Sequence, residues 1–252
     1  MNVLVLGGTS DIGRHIISRL AKGCATVVST SRGPISEMLR HKGVVYLEGC
    51  DLLDETCVRR IAHTVTEHFT GPFALIHSVG DFWNHQPLDE TPPNVARSQM
   101  ESHYLTLYTV LHQLLPLMAQ AGGGRVIAFS CNSVQQNYPE MAPFTAAKAA
   151  IETLIRCVAN EYAGCGVQAN SVALPTIYTD KVRGSKILSN EDSYVTPEDL
   201  ADFLYETMLT LPSIVNGSTV KVFKHNRNFY NLSYFERNPS GRLQPLAGIP
   251  SS

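Results

Sequence analysis

A glycine-rich segment near the start of the chain restricts the possible folds more than any other feature of the sequence. Residues 6–13 read L-G-G-T-S-D-I-G and lie between an apolar run, V-L-V-L, and an amphipathic stretch with helical spacing. A strand, a glycine turn and a helix in this order are typical of a nucleotide-binding unit rather than an ordinary β–α turn. Gly7 permits the turn, and Gly13 allows the helix to pack closely against the strand. We expect Thr9, Ser10 and the N–H groups of the helix N-terminus to hold a pyrophosphate.

Apolar, β-branched runs alternate with longer amphipathic segments along the rest of the chain, which is typical of repeated βαβ units. The sequence predicts strands at Val3–Leu6, Thr26–Thr30, Val44–Leu47, Ala74–His77, Arg125–Phe129, Gln168–Ala173 and Thr219–Phe223. Helices are predicted at about Ile12–Lys22, Glu55–Phe69, Asn94–Ala121, Phe144–Gly164 and Pro197–Leu211. The predicted fold class is therefore α/β: a single-domain Rossmann fold, with a doubly wound, seven-stranded parallel sheet and helices on both faces.

Two stretches of the chain lack this regular pattern. We expect one domain over residues 1–225, followed by a C-terminal tail over 226–252 that is irregular or partly disordered. Asp180–Val195 is polar with little periodicity, and we expect it to form a mobile loop beside the site.

Composition and charge exclude several classes of function. The net charge of −2 and the lack of a basic run argue against a nucleic-acid partner. The cysteines have no metal-site spacing, so we expect no metal and at least five reduced, mostly buried thiols. They are Cys24, Cys50, Cys57, Cys131, Cys157 and Cys165. With neither a signal peptide nor an apolar run of about 18 residues, we expect a cytoplasmic protein without a membrane partner.

In these features the chain resembles the short-chain dehydrogenase/reductase family, whose glycine loop reads T-G-x-x-x-G-x-G. The resemblance extends from Met1 to about Phe223. Leu6 takes the place of the family's Thr, and Asp11 takes the place of its middle Gly. A carboxylate beside a diphosphate is unfavourable unless it points outward or caps the helix.

The resemblance implies further cofactor contacts. Asp51-Leu52 correspond to the family's adenine-contacting pair, and His77-Ser78-Val79-Gly80 stand where the family has N-N-A-G. After Leu174-Pro175, which replace the family's P-G, Ile177 corresponds to a residue along the nicotinamide and Thr179 to one at its carboxamide or phosphate. The expected cofactor-binding residues are Gly7, Thr9, Ser10, Asp11, Ile12, Gly13, Ser31, Arg32, Asp51, Leu52, Ser78, Val79, Gly80, Lys148, Pro175, Ile177 and Thr179.

The end of the second strand indicates which coenzyme is bound. An acid there accepts the ribose hydroxyls of NAD, whereas an Arg accommodates a 2′-phosphate. The chain has Ser31-Arg32 and no acid, with Arg14 near the glycine loop. Because a guanidinium binds phosphate bidentately, we predict NADP(H) as the cofactor. The alternative is that Arg32 is a solvated surface residue.

The catalytic positions of the family carry other residues here. In the family a Tyr transfers the proton, and a Lys four residues later lowers its pKa and binds the ribose. A Ser about thirteen residues before the Tyr binds the substrate oxygen, and an Asn on the preceding long helix holds a relay water. In this chain Phe144 occupies the Tyr position and Lys148 the Lys position. Cys131 stands in place of the Ser, and His103 in place of the Asn.

A phenylalanine cannot transfer a proton, and the loss of a general acid costs roughly 10²–10⁴ in rate. Another group must supply the proton if the chain is an enzyme. The candidates for this role are Lys148, Cys131, His103, Ser133, Tyr138 and Tyr178. Structural roles are the alternatives, since a buried Cys commonly behaves as a small hydrophobic residue.

We therefore expect an NADPH-dependent oxidoreductase that reduces a small carbonyl or conjugated enone substrate with a non-standard proton donor. The alternative is a catalytically inactive cofactor-binding pseudoenzyme or the silent partner of an active subunit. Non-redox chemistry is a third possibility, because fold does not determine function. The resemblance also implies a homodimer or homotetramer formed through the two long helices.

Overall fold

Seven parallel strands form the central sheet of the computed structural model, which describes residues 1–81, 85–184, 194–224, 235–237 and 243–245. The strands are β1 (Asn2–Leu6), β2 (Thr26–Thr30), β3 (Val44–Leu47), β4 (Phe73–His77), β5 (Gly124–Cys131), β6 (Val167–Leu174) and β7 (Thr219–Lys221). Their order, β3-β2-β1-β4-β5-β6-β7 with every neighbouring pair parallel, confirms the predicted Rossmann sheet. The strand order reverses between β1 and β4, and open α/β sheets bind ligands at the strands' carboxyl ends at such a point.

Helices cover both faces of this sheet. They are α1 (Gly13–Leu20), α2 (Glu55–His68), α3 (Pro93–Gln99), α4 (Thr106–Gln120), α5 (Ser133–Gln136), α6 (Ala142–Tyr162), α7 (Asp180–Gly184) and α8 (Pro197–Phe203). Short 3-10 helices lie at Glu37–Leu39, Leu88–Glu90 and Ala163–Cys165, and π-helical turns at Met100–Leu105 and Leu204–Met208. One core cluster joins α2, α4 and α6 to the sheet, and another joins α1 and α8 to its opposite face. None of the described helices is long and apolar enough to cross a membrane.

Local sequence signals account for α1, which follows the glycine turn, and for α8. In α1 the apolar positions Ile16, Ile17 and Leu20 recur at helical spacing and are buried against the sheet. α8 begins with a capping box, in which Thr196 and Asp199 each accept a backbone N–H from the other residue. The two helices belong to the same core cluster on one face of the sheet.

Four predicted segments differ from the structure by more than a shift of their ends. The long helix predicted at Asn94–Ala121 is divided into α3 and α4 by the π-helical turn Met100–Leu105. The helix predicted at Pro197–Leu211 consists of α8 and the π-helical turn Leu204–Met208. The predicted loop Asp180–Val195 begins instead with α7, and its residues 185–193 lie outside the described residues. In the predicted irregular tail, β8 (Phe235–Arg237) and β9 (Leu243–Pro245) form an antiparallel pair. Residues 225–234, 238–242 and 246–252 lie outside the described residues, so the predicted domain boundary stays a prediction.

The expectation of reduced cysteines is wrong for one pair. Cys50 and Cys57 form a disulfide, and the other four cysteines are free. The expected burial of the thiols is wrong as well, because Cys24 and Cys131 are half-buried and Cys157 and Cys165 are exposed. The turn after β3 leads directly into α2, which brings the two Cα atoms to 5.6 Å from each other, within the range a disulfide requires. A separation of seven residues is not a recognisable motif, so this bond could not be predicted from the sequence.

Candidate cofactor and active site

The glycine turn lies at the carboxyl end of β1, where the strand order reverses. Gly7 has a φ of +85°, a conformation that L side chains rarely adopt, and a Cβ there would lie 2.9 Å from Val79 Cγ2. A Cβ on Gly13 would overlap the carbonyl oxygen of Gly7. The close approach of helix and strand therefore requires glycine at both positions.

Backbone donors in this turn are available to an anion. Among the described residues, the N–H groups of Thr9, Asp11 and Ile12 have no hydrogen-bond acceptor. They lie at the N-terminus of α1, where the helix dipole favours negative charge. Ser10 Oγ accepts the Gly13 N–H at 2.9 Å, so its side chain shapes the turn. Asp11 is exposed, which meets the condition for tolerating a carboxylate beside a diphosphate.

Arg32 and Asp81 lie on the two sides of the crevice above β1. Arg32 Nη2 is 3.8 Å from Asp81 Oδ1, and the two side chains are 78% and 46% exposed. The Ser31 hydroxyl donates to the Gly33 carbonyl oxygen at 2.7 Å and lies 3.2 Å from Thr9 Oγ1. The guanidinium is therefore accessible to a phosphate, whereas the Ser31 hydroxyl is already engaged.

The predicted adenine contacts lie on the loop between β3 and α2. Asp51 is exposed, and its Oδ1 accepts the Leu53 N–H at 3.0 Å. Leu52 is buried in the core. Since the Cys50–Cys57 disulfide closes this loop, it restricts the backbone on which both predicted contacts lie.

The segment after β4 forms the opposite wall of the crevice. Ser78 Oγ donates to the Leu6 carbonyl oxygen at 2.8 Å and so joins β4 to β1. Gly80 has a φ of +148° and packs against the His103 ring so closely that a Cβ would overlap the imidazole. The one residue kept from the family's N-N-A-G segment therefore makes room for the histidine.

The segment after β6 carries the remaining expected cofactor residues. Pro175 and Ile177 are buried, and Ile177 forms a parallel β-bridge with Val195. The carbonyl oxygen of Thr179 accepts the Arg183 N–H at 2.8 Å. Thr179 thus lies at the start of α7, a helix that the sequence did not predict.

Arg14 contacts α7 rather than the end of β2. Its Nη2 donates to Asp180 Oδ2 at 2.7 Å, and this contact holds the pKa of the Asp180 carboxyl below its usual range. A cavity of about 410 Å³ lies here, between α1, α7 and the 3-10 helix that ends at Leu39. Thr179 is the expected cofactor residue that lines it, and the buried candidate Tyr178 lines it as well. The other candidate catalytic residues, Lys148, Cys131, His103, Ser133 and Tyr138, do not line this cavity.

Lys148 is buried beside the phenylalanine that takes the tyrosine's place. Its Nζ donates to the Phe129 carbonyl oxygen at 3.0 Å and lies 5.6 Å from the centroid of the Phe144 ring. Burial lowers the pKa of the Lys148 ammonium to about 8, while the charge of Cys131 acts in the opposite direction. An amine with this pKa is suited to proton transfer near neutral pH.

His103 lies in the π-helical turn and packs edge-on against Phe144, with ring centroids 5.2 Å apart. Its Nε2 donates to the Asp81 carbonyl oxygen at 3.1 Å, so Nδ1 carries no proton in the neutral ring. Nδ1 is buried and has no hydrogen-bond partner among the described residues. Burial, followed by the charge of Lys148, lowers the pKa of His103 to about 2. The imidazole is therefore neutral at physiological pH.

A second buried imidazole supports this turn, and sequence reasoning missed its role. His77 Nε2 donates to Thr106 Oγ1 at 3.0 Å, and that hydroxyl donates to the carbonyl oxygens of Ser102 and His103. Burial, followed by the charge of Lys148, lowers the pKa of His77 to about 3. The only signal in the sequence was a His at the first Asn of the family's N-N-A-G segment.

The other candidate catalytic residues lie between β5 and α6. Cys131 Sγ accepts the Ser133 N–H at 3.4 Å and is half-buried. Ser133 is fully buried, and its Oγ accepts the Thr145 hydroxyl at 3.1 Å, so it fits a structural role better than a substrate contact. Tyr138 is half-buried, and burial, followed by the charge of Cys131, raises its pKa to about 12.

The residues at the crevice fit a dinucleotide. The turn forms a cradle for a diphosphate, because its N–H groups are free and Asp11 is exposed. Only glycine fits at positions 7 and 13, where a Cβ would clash. Lys148 lies near the carboxyl end of β5, where its Nζ donates to the Phe129 carbonyl oxygen. No group of three or more His, Cys, Asp or Glu side chains that could hold a metal occurs in the described part of the chain.

Comparisons with known proteins agree with this arrangement. A model of the short chain dehydrogenase family matches residues 1–187. The chain is 28% identical over 199 residues to a chloroplastic tropinone reductase homolog of Arabidopsis thaliana, covering 76% of this chain but only 61% of that protein. It is 24% identical over 226 residues to an NADPH-dependent pterin aldehyde reductase of the same plant, covering 87% of this chain and 92% of that one.

Solved structures show the same fold. A tyrosine-to-phenylalanine variant of ElxO with NADPH bound has a TM-score of 0.79 to this chain at 22% identity, covering 87% of this chain and 96% of that one. The family match spans the glycine turn, the catalytic register and β1 to α7. The chain therefore belongs to the short chain dehydrogenase family.

Proposed function

We propose that the protein is an NADP(H)-dependent reductase that acts on a small carbonyl or conjugated enone, with Lys148 in place of the usual tyrosine as proton donor. One observation carries the proposal. The lysine of the family's catalytic pair is kept and buried beside Phe144, at the end of a crevice whose nucleotide-binding turn is intact.

Coenzyme choice rests on Arg32 and on the relatives. Arg32 is mostly exposed just after β2, at the position where a residue contacts the 2′-phosphate of NADP(H). No acidic residue that would accept the ribose hydroxyls of NAD precedes it. The pterin aldehyde reductase is NADPH-dependent by name, and ElxO structures hold NADPH or NADP. We expect tighter binding of NADPH than of NADH, measured by fluorescence titration. A clear preference for NADH would contradict this part of the proposal.

The proton donor follows from comparing the groups in the site. A bound nicotinamide coenzyme supplies the hydride. Lys148 Nζ then gives a proton to the substrate and becomes a neutral amine, which water reprotonates. His103 has its single N–H committed to the Asp81 carbonyl oxygen, and the raised pKa of Tyr138 makes the phenol a weaker acid. Lys148 is therefore the best-suited acid among the candidates.

Turnover with a substrate panel tests the reductase activity. NADPH oxidation is followed with a series of ketones, aldehydes and conjugated enones. We expect at least one class to be reduced well above the rate of coenzyme oxidation without substrate. NADPH binding without oxidation across the whole panel would favour the alternative function below.

The alternative is a cofactor-binding protein without catalysis, or the silent partner of an active subunit. Phe144 favours it, because the ring fills the place of the acid and packs against His103. The double variant Phe144→Tyr/Cys131→Ser separates the two functions. A large gain of ketone reduction from an inactive wild type would indicate an inactivated site. For the proposed reductase we expect less than a tenfold gain on its best substrate, because the existing donor already works.

We also propose self-association through α4 and α6. Tyr108 in the first turn of α4 and Leu105 just before this helix are exposed, and the Tyr104 and Tyr108 rings lie 6.0 Å apart. These neighbouring side chains form a small contiguous apolar patch, and contiguous patches rather than single apolar residues indicate protein–protein contacts. Light scattering on the purified protein is expected to give the mass of a dimer or a tetramer, and a monomer at all concentrations would contradict it.

A further inference from the structure

An ion pair crosses the crevice in which the proposed coenzyme would lie. Arg32 is two residues beyond the end of β2, and Asp81 is four residues beyond the end of β4. Both strands border β1, and neighbouring strands lie about 4.8 Å apart, so the pair spans a gap of about 10 Å. Arg32 Nη2 and Asp81 Oδ1 come within 3.8 Å of each other above the glycine turn.

The two partners differ in freedom of movement. The Asp81 backbone is fixed, because its carbonyl oxygen accepts the His103 Nε2–H at 3.1 Å. The preceding Gly80 is pressed against the same imidazole, which leaves no room for the segment to shift towards the helix. The Arg32 side chain is 78% exposed at the end of a long, flexible stem. When a third charged group enters the crevice, Arg32 can turn towards it while Asp81 stays in place.

A ribose 2′-phosphate is such a group. A guanidinium binds phosphate through two parallel hydrogen bonds, whereas an exposed ion pair at this distance contributes little. The phosphate therefore takes Arg32 from Asp81. The carboxylate is then left without its cation, near a phosphate of the same sign.

We propose that Asp81 is a specificity-determining residue for the coenzyme, which competes with the 2′-phosphate for Arg32 and so reduces the preference for NADP(H) over NAD(H). This inference rests on the proposed function, since it needs a coenzyme with a 2′-phosphate. NAD(H) has no such phosphate, so it neither breaks the pair nor meets the repulsion. Asp81 thus weakens the binding of one coenzyme and leaves the other nearly unchanged.

Coenzyme titrations of the full-length protein and its variants test this role. Asp81→Asn keeps the backbone carbonyl that holds His103 and removes only the charge. We expect its Kd for NADPH to fall about fivefold, since a like-charge contact near the surface is worth about 1 kcal/mol. The Kd for NADH is expected to change less than twofold, and the gain for NADPH is expected to shrink at high salt. Asp81→Glu, which keeps the charge, is expected to bind both coenzymes like the wild type.

A matched control separates a local effect from a change in net charge. Glu67→Gln removes the same charge from the last turn of α2, where the carboxylate pairs with His63 on an exposed surface. We expect this variant to bind NADPH like the wild type. An unchanged Kd for NADPH in Asp81→Asn, or an equal shift for NADPH and NADH, would overturn the inference while the proposed function stands. If the wild type binds neither coenzyme, the proposed function fails, and the inference fails with it.

Discussion

The nucleotide end and the catalytic end of the crevice depart from the family pattern in different ways. At the nucleotide end Leu6 and Asp11 replace family residues, yet the turn keeps its glycines and its free N–H groups. At the catalytic end three of the four family positions have changed. Of the replacements, His103 and Phe144 pack directly against each other, and Lys148 lies beside them.

The difference shows what each half of the site depends on. A diphosphate is held mainly by backbone groups, so side chains beside the glycines can vary while the geometry is kept. Proton transfer depends on the identity of a side chain, so losing the tyrosine changes the chemistry outright. His103 packs against Phe144 and requires Gly80, so two of the three changed residues form one packed group.

The largest effect is expected at the catalytic end. Lys148→Met removes the only retained member of the catalytic set, and we expect the rate of NADPH-dependent reduction to fall by roughly 10²–10⁴. Lys22→Met, which alters an exposed lysine just beyond α1, is the control and is expected to keep full activity. Steady-state rates on the best substrate of the panel measure both. A Lys148→Met enzyme within threefold of the wild type would exclude this lysine as the donor.

A substitution that disrupts the backbone of the glycine turn tests the nucleotide end. Gly13→Ala places a Cβ against the Gly7 carbonyl oxygen, and overpacking of this kind costs about 1–3 kcal/mol. We expect lower stability and at least tenfold weaker binding of NADPH. Gly33→Ala, where a Cβ would meet nothing within 4 Å, is the matched control. Equal NADPH affinities for the two variants would contradict the role assigned to the turn.

The disulfide connects the stability of the fold to the nucleotide end. Replacing both Cys50 and Cys57 by Ser is expected to lower the free energy of unfolding by about 2 kcal/mol, the loop-closure value for a short loop. Binding of NADPH is expected to weaken as well, because the loop carries Asp51 and Leu52. Urea denaturation and coenzyme titration measure the two effects. The double variant Cys157→Ser/Cys165→Ser, at exposed free cysteines, is expected to change neither.

The buried imidazoles make the catalytic end sensitive to acid. The pKa values of His77 and His103 are lowered to about 3 and 2, against about 6.5 in the unfolded chain, because both rings are buried. Below pH 6.5 the unfolded state therefore binds more protons than the folded state. The free energy of unfolding therefore keeps its full value above pH 6.5 and decreases as the pH falls from 6.5 towards 3. The decrease is up to about 1.4 kcal/mol per pH unit for each histidine. The free energy of unfolding is measured at several pH values and plotted against pH. We expect its slope between pH 6.5 and 3 to be smaller for His103→Asn than for the wild type, and unchanged for the exposed His63→Asn.

The fold was more predictable from the sequence than the site was. Parallel strands read as apolar, β-branched runs, so β2 and β3 were predicted with the bounds they have in the structure, although β3 is a half-buried edge strand. The π-helical turn Met100–Leu105 was missed because it depends on contacts from His77 through Thr106, which no local pattern encodes. The helix α7 was missed for a similar reason, since its five residues are too few to show a periodicity.

Within the site, the sequence showed which residues occupy the family's motif positions, but not which groups their side chains contact. Counting from the family pattern located Lys148, Cys131 and His103. It did not show that Ser133 is fully buried, or that Arg32 faces Asp81. These facts depend on the direction of each side chain between neighbouring strands, and that direction follows from the tertiary packing.

The pH dependence of NADPH oxidation, measured with the best substrate of the panel, tests the central claim most directly. Lys148 has a pKa of about 8 because of its burial, and it must carry its proton in order to donate it. We therefore expect kcat to be constant at neutral pH and to fall tenfold per pH unit above about 8. A rate that stays constant to pH 10, or the absence of NADPH oxidation at every pH, would contradict a lysine proton donor at the catalytic end.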